Sequence, residues 1–219
     1  MRMQNGRTCG KRKGIVLYPE LKRHRDSFQE YPIHSVTRPF VIWMTGLPCA
    51  GKTTIAKMLQ KFIPDLALLD GDELRKWLPT KNDFSRVGRS EHNKAVAHIA
   101  KLLTEHKVSV CVSLVSPYKE NRDDARVIIG EGCRFIELYV KCSVTICETR
   151  DVKGMYRRAK NGEIKQFTGV DDVYEVPSKP NMIVDTEKTA LQHAIGFILQ
   201  FLYDSDCVSP NALRHKIEE

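Results

Sequence analysis

The sequence predicts an α/β fold with a mostly parallel central sheet. Short apolar runs rich in β-branched residues alternate with stretches of helical apolar spacing between residues 40 and 202. A glycine-rich octapeptide ending in Lys-Thr follows the first of these runs, and an Asp-Gly-Asp turn closes the second. Strands alternating with helices imply a parallel sheet covered on both faces. Ligands in such folds bind beyond the C-terminal strand ends, and both motifs fall there.

Each element has its own reason. Phe40 to Thr45 is short, aromatic and β-branched, and it stops at a glycine, which reads as a buried strand. A helix is expected from Lys52 to Phe62, and a short strand from Ala67 to Leu69 ending at Asp70. Glu91 to His106 carries Ala95, Ile99, Leu102 and Leu103 at helical spacing. Val108 to Val115 is a β-branched strand, Lys119 to Ile129 a helix and Phe135 to Val140 a strand. Val144 to Arg150 is helical, Met182 to Val184 is the last strand and Thr189 to Leu202 the closing helix.

Composition narrows the class. The 219 residues suffice for one large domain, and 42% apolar with 28% charged residues is ordinary for a globular protein. No apolar run reaches the ~20 residues of a membrane span, and the basic N-terminus lacks the apolar stretch of a signal peptide. Seven cysteines, an odd number without paired zinc spacing, read as reduced thiols of a cytosolic chain. The net charge of +8 suits a nucleic acid or a small polyanion. No nucleic-acid-binding motif is visible, and much of the excess lies in residues 1–38. Small polyanions are therefore preferred. Residues 1–38 read as a basic extension, partly disordered or wrapped over the surface. Residues 39–205 read as the main domain and 206–219 as a tail.

Gly46-Leu47-Pro48-Cys49-Ala50-Gly51-Lys52-Thr53 matches G-x-x-x-x-G-K-[ST] between a strand and an amphipathic helix, the setting of a phosphate-binding P-loop. Backbone amides curl around phosphate oxygens, and the helix N-terminus adds partial positive charge. Lys52 would reach the β- and γ-phosphates, Thr53 would coordinate Mg²⁺, and Thr54 would contact the α-phosphate. The fold class is thus a three-layer P-loop nucleotide-kinase fold. No guanine-reading motif is visible, which disfavours a GTPase. At the next strand end, Asp70 and Asp72 flank Gly71. One carboxylate would take a proton from an acceptor hydroxyl, and the other would hold Mg²⁺ through water. Thr53 and Asp72 are the expected metal ligands, and Lys52, Asp70 and Asp72 are expected catalytic residues.

From this turn on, the chain resembles the adenylyl-sulfate kinases. Asp70-Gly71-Asp72 with Arg75, then Asp83-Phe84-Ser85, Arg89 and Glu91, carry the resemblance. It continues in Val115-Ser116-Pro117-Tyr118 with Arg122, in Cys147 to Tyr156 and in Ala159 to Asp171. The resemblance implies ATP-dependent phosphorylation of the 3′-hydroxyl of adenylyl sulfate, with ATP as co-substrate and Mg²⁺ as cofactor. It implies that Arg75 and Arg89 clamp the phosphosulfate and that Phe84 and Phe167 sandwich the acceptor adenine. Val115, Ser116, His92 and Asp70 fall on the acceptor side. Ser116 occupies the family's possible phosphoserine position and joins Lys52, Asp70 and Asp72 as an expected catalytic residue, although direct in-line transfer leaves a serine little covalent chemistry. Residues 153–171 would form a mobile lid carrying Lys153 and Lys165, among other cations. Arg150 and Thr186 fall where the family contacts the donor adenine. A homodimer and an ATP sulfurylase partner are both compatible with the resemblance.

The chain also departs from the family pattern. Pro48 and Cys49 stand in place of Ser and Gly in the loop. Gly88, His92 and Ala95 stand in place of Asp, Asn and a basic residue. Two other readings therefore stay open. One is a P-loop kinase of another nucleotide conjugate, such as cytidine diphosphoramidate. The other is a non-catalytic nucleotide-binding partner of a sulfate-activating enzyme. A nucleic-acid role for the basic N-terminus ranks third.

Overall fold

A computed structural model describes residues 34–79 and 83–210. The expectations for residues 1–33 and 211–219 lie outside the described residues. Five strands form one parallel sheet in the order β3-β4-β2-β5-β6. They are β2 (Phe40–Thr45), β3 (Ala67–Asp70), β4 (Val110–Ser113), β5 (Arg134–Lys141) and β6 (Met182–Asp185). A separate two-stranded antiparallel sheet pairs β1 (His34–Val36) with β7 (Val208–Pro210). The helices are α1 (Lys52–Phe62), α2 (Gly71–Leu74), α3 (Arg86–Glu105), α4 (Lys119–Ile129), α5 (Val144–Arg150), α6 (Met155–Lys160) and α7 (Leu191–Asp204).

Strand β2 explains the three layers. It is central, and all six of its residues are buried. Side chains alternate across a strand. Phe40, Ile42 and Met44 join a core with Ile55 and Leu59 of α1 and Ile195 and Leu199 of α7. Val41 and Trp43 join a second core with Val96, Ala97 and Ala100 of α3 and Ala125 and Ile129 of α4. A strand covered on both faces has no polar side to show, which is why Phe40 to Thr45 reads as one apolar run.

The structure corrects several boundaries. Helix α3 starts at Arg86, five residues before the expected Glu91, because the Ser85 hydroxyl caps it by accepting from the Gly88 amide at 3.0 Å. Its first turns bury polar residues, Arg89, His92 and Asn93, so apolar spacing could not mark them. The ladder of β4 covers only Val110–Ser113 of the expected 108–115. Past it, Ser116 takes a left-handed backbone with φ 41°. The expected domain edges at 39 and 205 lie inside folded structure. Val36 pairs with Val208, and Cys207 and Val208 are buried. The stretch expected as a lid contains α6, and Tyr156, Ile164 and Phe167 seat it on the first core.

If the C-terminal strand belongs to the domain, Val208→Ala should lower unfolding stability by about 2 kcal/mol. Chemical denaturation would measure this. An unchanged midpoint would return residues 206–210 to a loose tail.

Candidate active site

The phosphate loop joins β2 to α1 at the C-terminal edge of the sheet. Gly46 is required by space: a Cβ there would lie 2.4 Å from the Val140 carbonyl oxygen. Gly51 sits at φ 99°. Cys49 adopts φ 62°, a left-handed conformation that its Cβ strains. Gly51 caps α1 without a side-chain acceptor, and the helix has no acid in its first turn. Its N-terminal amides and positive dipole end therefore suit an anion.

Lys52 is buried, and its ammonium donates to the carbonyls of Gly46 at 2.9 Å and Leu47 at 2.7 Å. Burial pulls its pKa down to about 8. Thr54 is exposed at the start of α1. Arg150 borders the loop, donating to the Thr186 hydroxyl at 3.2 Å and carbonyl at 2.9 Å. The Thr186 hydroxyl donates in turn to the Ala50 carbonyl at 2.9 Å. The two residues expected at the donor base thus sit together against the loop.

The acidic turn differs from expectation in one respect. The Thr53 hydroxyl donates to Asp70 Oδ2 at 2.7 Å, and the Ser113 hydroxyl lies 3.2 Å from it. Asp70 Oδ1 caps α2 by accepting from the Asp72 amide at 3.1 Å. Asp72 instead pairs with Lys153 of the lid segment, and both side chains are 60% exposed. Thr53 and Asp72 were expected to share a metal, yet the carboxylate bonded to Thr53 is that of Asp70. Among the described residues, no group of three or more His, Cys, Asp or Glu could hold a metal ion. The oxygen donors of Thr53 and Asp70 fit Mg²⁺, which is normally bound through few protein ligands plus phosphates and water.

Residues expected on the acceptor side gather around the end of α2, the start of α3 and the lid segment. Arg89 is 5% exposed; its Nε donates to the Phe84 carbonyl at 2.9 Å and its Nη2 to the Gln166 carbonyl at 3.0 Å. Its guanidinium carbon lies 5.1 Å from the Phe84 ring centroid, and that of half-buried Arg75 lies 5.7 Å from the same centroid. Both guanidiniums therefore converge on Phe84. Phe84 and Phe167 meet edge to face at 6.3 Å and 89°, and Phe167 is buried against Tyr156. The two rings expected to sandwich the acceptor adenine thus lie beside each other, edge to face.

His92 is 1% exposed beside Arg75 and the Gly71 backbone. Burial first, and then Arg75, push its pKa down to about 4, so it presents a neutral imidazole. The Val115 carbonyl accepts from Thr45 Oγ1 at 2.8 Å and from Gly46 N at 3.3 Å. Lys165 is exposed on the lid segment. Ser116 is 2% exposed, with its hydroxyl bonded to Asn93 Oδ1 at 2.7 Å and to Trp43 Nε1 at 3.1 Å.

Some residues here escaped sequence reasoning. Asp172 accepts from the Tyr118 hydroxyl at 2.9 Å and lies 3.8 Å from Arg89 Nε, tying the end of the lid segment to α3 and α4. Asn93 was also missed, although an asparagine one helical turn after Arg89 was readable.

A lysine-bearing phosphate loop beside two carboxylates and a pair of arginines defines a P-loop phosphotransferase. The comparisons agree. The family model described as adenylylsulphate kinase matches residues 38–185. The adenylyl-sulfate kinase of Clostridium kluyveri is 40% identical over 166 residues, covering 74% of this chain and 82% of that protein. That of Staphylococcus carnosus is 39% identical over 172 residues, covering 77% and 86%. The structure of the Mycobacterium tuberculosis APS kinase in complex with AMPPNP and APS superposes with a TM-score of 0.73 at 31% identity, over 76% of this chain and 98% of that one. The chain belongs to the adenylylsulphate kinase family.

Two outcomes follow from the loop. Cys49→Gly should raise stability by about 1 kcal/mol by relieving the left-handed strain. A lowered denaturation midpoint would contradict it. Only protonated Lys52 grips phosphate, and the protonated fraction of the free enzyme falls as pH rises through about 8. The kcat/KM for ATP should therefore decline above about pH 8. The kcat should hold to higher pH, because bound triphosphate stabilises the ammonium. A kcat/KM profile flat to pH 10 would show that the charge of Lys52 is not limiting.

Proposed function

We propose that this chain transfers the γ-phosphate of ATP to the 3′-hydroxyl of adenylyl sulfate, giving ADP and 3′-phosphoadenylyl sulfate. One observation carries the reading. The Asp70–Asp72 turn links the phosphate loop, through Thr53, to the cluster where Arg75 and Arg89 converge on Phe84. ATP lies along the loop, with Lys52 on its β- and γ-phosphates and Arg150 and Thr186 at its base. Adenylyl sulfate lies against α3, with Arg75 and Arg89 on its phosphosulfate and Phe84 on its adenine.

The two carboxylates divide the work. Both oxygens of Asp70 already accept hydrogen bonds, from Thr53 and from the Asp72 amide, so its lone pairs are engaged on the phosphate-loop side. Thr53 and Asp70 would hold Mg²⁺, which when bound screens the β- and γ-phosphate charge. Asp72 is exposed and contacts a mobile-type side chain, Lys153, so it is placed to take the acceptor proton. Lys153 then faces the transferring phosphoryl group. Ser116 acts in binding and positioning, because its hydroxyl is buried and bonded on both sides. The six described cysteines are free thiols, and no helix among the described residues is long and apolar enough to cross a membrane. Both suit a cytosolic reaction.

The reading is tested by a panel of acceptors with labelled ATP. Adenylyl sulfate should be turned over at least about a hundredfold better than cytidine diphosphoramidate, since a site that hydrogen-bonds one ligand rejects another lacking the match. Equal turnover would reassign the acceptor. Asp72→Asn should lower kcat by about 10²-fold or more, with the Mg²⁺ requirement unchanged. Asp70→Asn should raise the Mg²⁺ concentration needed for half-maximal rate. The reverse pattern would exchange the two roles.

A further inference from the structure

A polar relay runs through the second core, where apolar packing would be the simpler choice. The Trp43 indole donates to Ser116 Oγ at 3.1 Å. The Ser116 hydroxyl donates to Asn93 Oδ1 at 2.7 Å. The Asn93 amide donates to the Arg89 carbonyl at 2.8 Å. Trp43, Ser116 and Asn93 are 0%, 2% and 4% exposed. The direction of every bond is fixed from the two ends. An indole N–H can only donate, and a backbone carbonyl can only accept. Asn93 must therefore turn its NH₂ to Arg89 and its oxygen to Ser116. The Ser116 hydroxyl then has to donate its hydrogen bond to Asn93 Oδ1.

The relay spans two structural units. One end is the strand pair: Trp43 lies on β2, and Ser116 follows β4 in a left-handed backbone at φ 41°. The Ser116 carbonyl is itself gripped by Thr45 Oγ1 at 3.1 Å and Arg122 Nη1 at 2.8 Å. Such a strained residue persists only where its surroundings over-determine it. The other end is α3, one turn from Arg89. Arg89 in turn holds Phe84 and, through Gln166, the lid segment.

We propose that Asn93 is a positioning residue that sets α3 against the sheet, and so places Arg89 and the lid segment for the acceptor. The acceptor arm of this inference rests on the function proposed above. Asn93 itself need not touch substrate. Leucine at 93 would fill similar space while leaving the Ser116 hydroxyl without its acceptor. A buried polar group left unsatisfied costs free energy, and a shift of α3 against the sheet would relieve it.

The test is steady-state kinetics of Asn93→Leu, joined to amide hydrogen exchange. Asn93→Leu should raise the acceptor KM about tenfold, the change that ~1.4 kcal/mol of lost binding gives, and leave the ATP KM within about twofold. Exchange in residues 166–172 should quicken about tenfold while β2 stays protected. Ser116→Ala, the milder variant, should move the acceptor KM in the same direction. The double variant should be no worse than the worse single one, because both act on one relay. Asn93→Leu that lowers Tm with unchanged acceptor KM and unchanged exchange would overturn the proposal. So would Ser116→Ala that abolishes kcat at an unchanged acceptor KM, the signature of a phosphoserine intermediate. Should Asn93→Leu fail to fold, Ser116→Ala alone decides by the same two readouts. Should wild-type protein not turn over adenylyl sulfate, the function proposal fails, and the exchange measurement still decides the role of Asn93.

Discussion

The hydrogen bond from Thr53 to Asp70 is the joint on which the site depends. Thr53 begins α1 behind the phosphate loop, and Asp70 ends β3, at the edge of the sheet. Between them runs β4, whose last residue, Ser113, adds its hydroxyl at 3.2 Å from Thr53. The bond of 2.7 Å therefore fixes two crossover connections to each other across an intervening strand. It also sets the two carboxylates apart. Strand geometry sends one carboxylate toward the loop, and the short helix that follows turns the other toward the lid segment.

Buried cations hold the rest of the site in shape. Arg122 is 2% exposed and donates to Glu137 at 2.9 Å, to the carbonyls of Ser116 and Pro117 at 2.8 and 3.2 Å, and to that of Glu175 at 2.8 Å. Breaking such a buried, paired charge costs about 3–5 kcal/mol, so the loop after β4 has little freedom. Arg89 does the same for the lid segment. Lys52 differs, because its partners are two neutral carbonyls of its own loop. Its lowered pKa records that imbalance: burial disfavours the ammonium, and no carboxylate among the described residues is hydrogen-bonded to it. A polyphosphate supplies the missing charge, so the penalty in the free protein becomes selectivity for the ligand.

Much of this was legible in the residues. Strand β2 and helices α1, α4 and α5 have the bounds expected from apolar spacing. The phosphate loop was readable because its glycines and lysine act through local backbone geometry. Cys49 stands where the resemblance has glycine, and its φ of 62° is a conformation that glycine adopts without strain. What escaped depended on distant partners. Apolar spacing could not find the first two turns of α3, which bury the polar residues Arg89, His92 and Asn93. The three-residue strands β1 and β7 are 174 positions apart at Ser35 and Ser209, and neither carries a pattern alone. Asp70 and Asp72 are equivalent in a tripeptide, so only the fold could say which one faces Thr53. Phe84 and Phe167 were matched by motif, but a motif does not fix the angle between two rings.

The most direct test of the divided carboxylates is a crystal structure with a non-hydrolysable ATP analogue, Mg²⁺ and adenylyl sulfate bound together. The account predicts the acceptor 3′-hydroxyl at about 3 Å from Asp72, in line with the γ-phosphate, with Asp70 and Thr53 turned to the metal. A 3′-hydroxyl resting on Asp70, with Asp72 still paired to Lys153 and remote from both nucleotides, would contradict it.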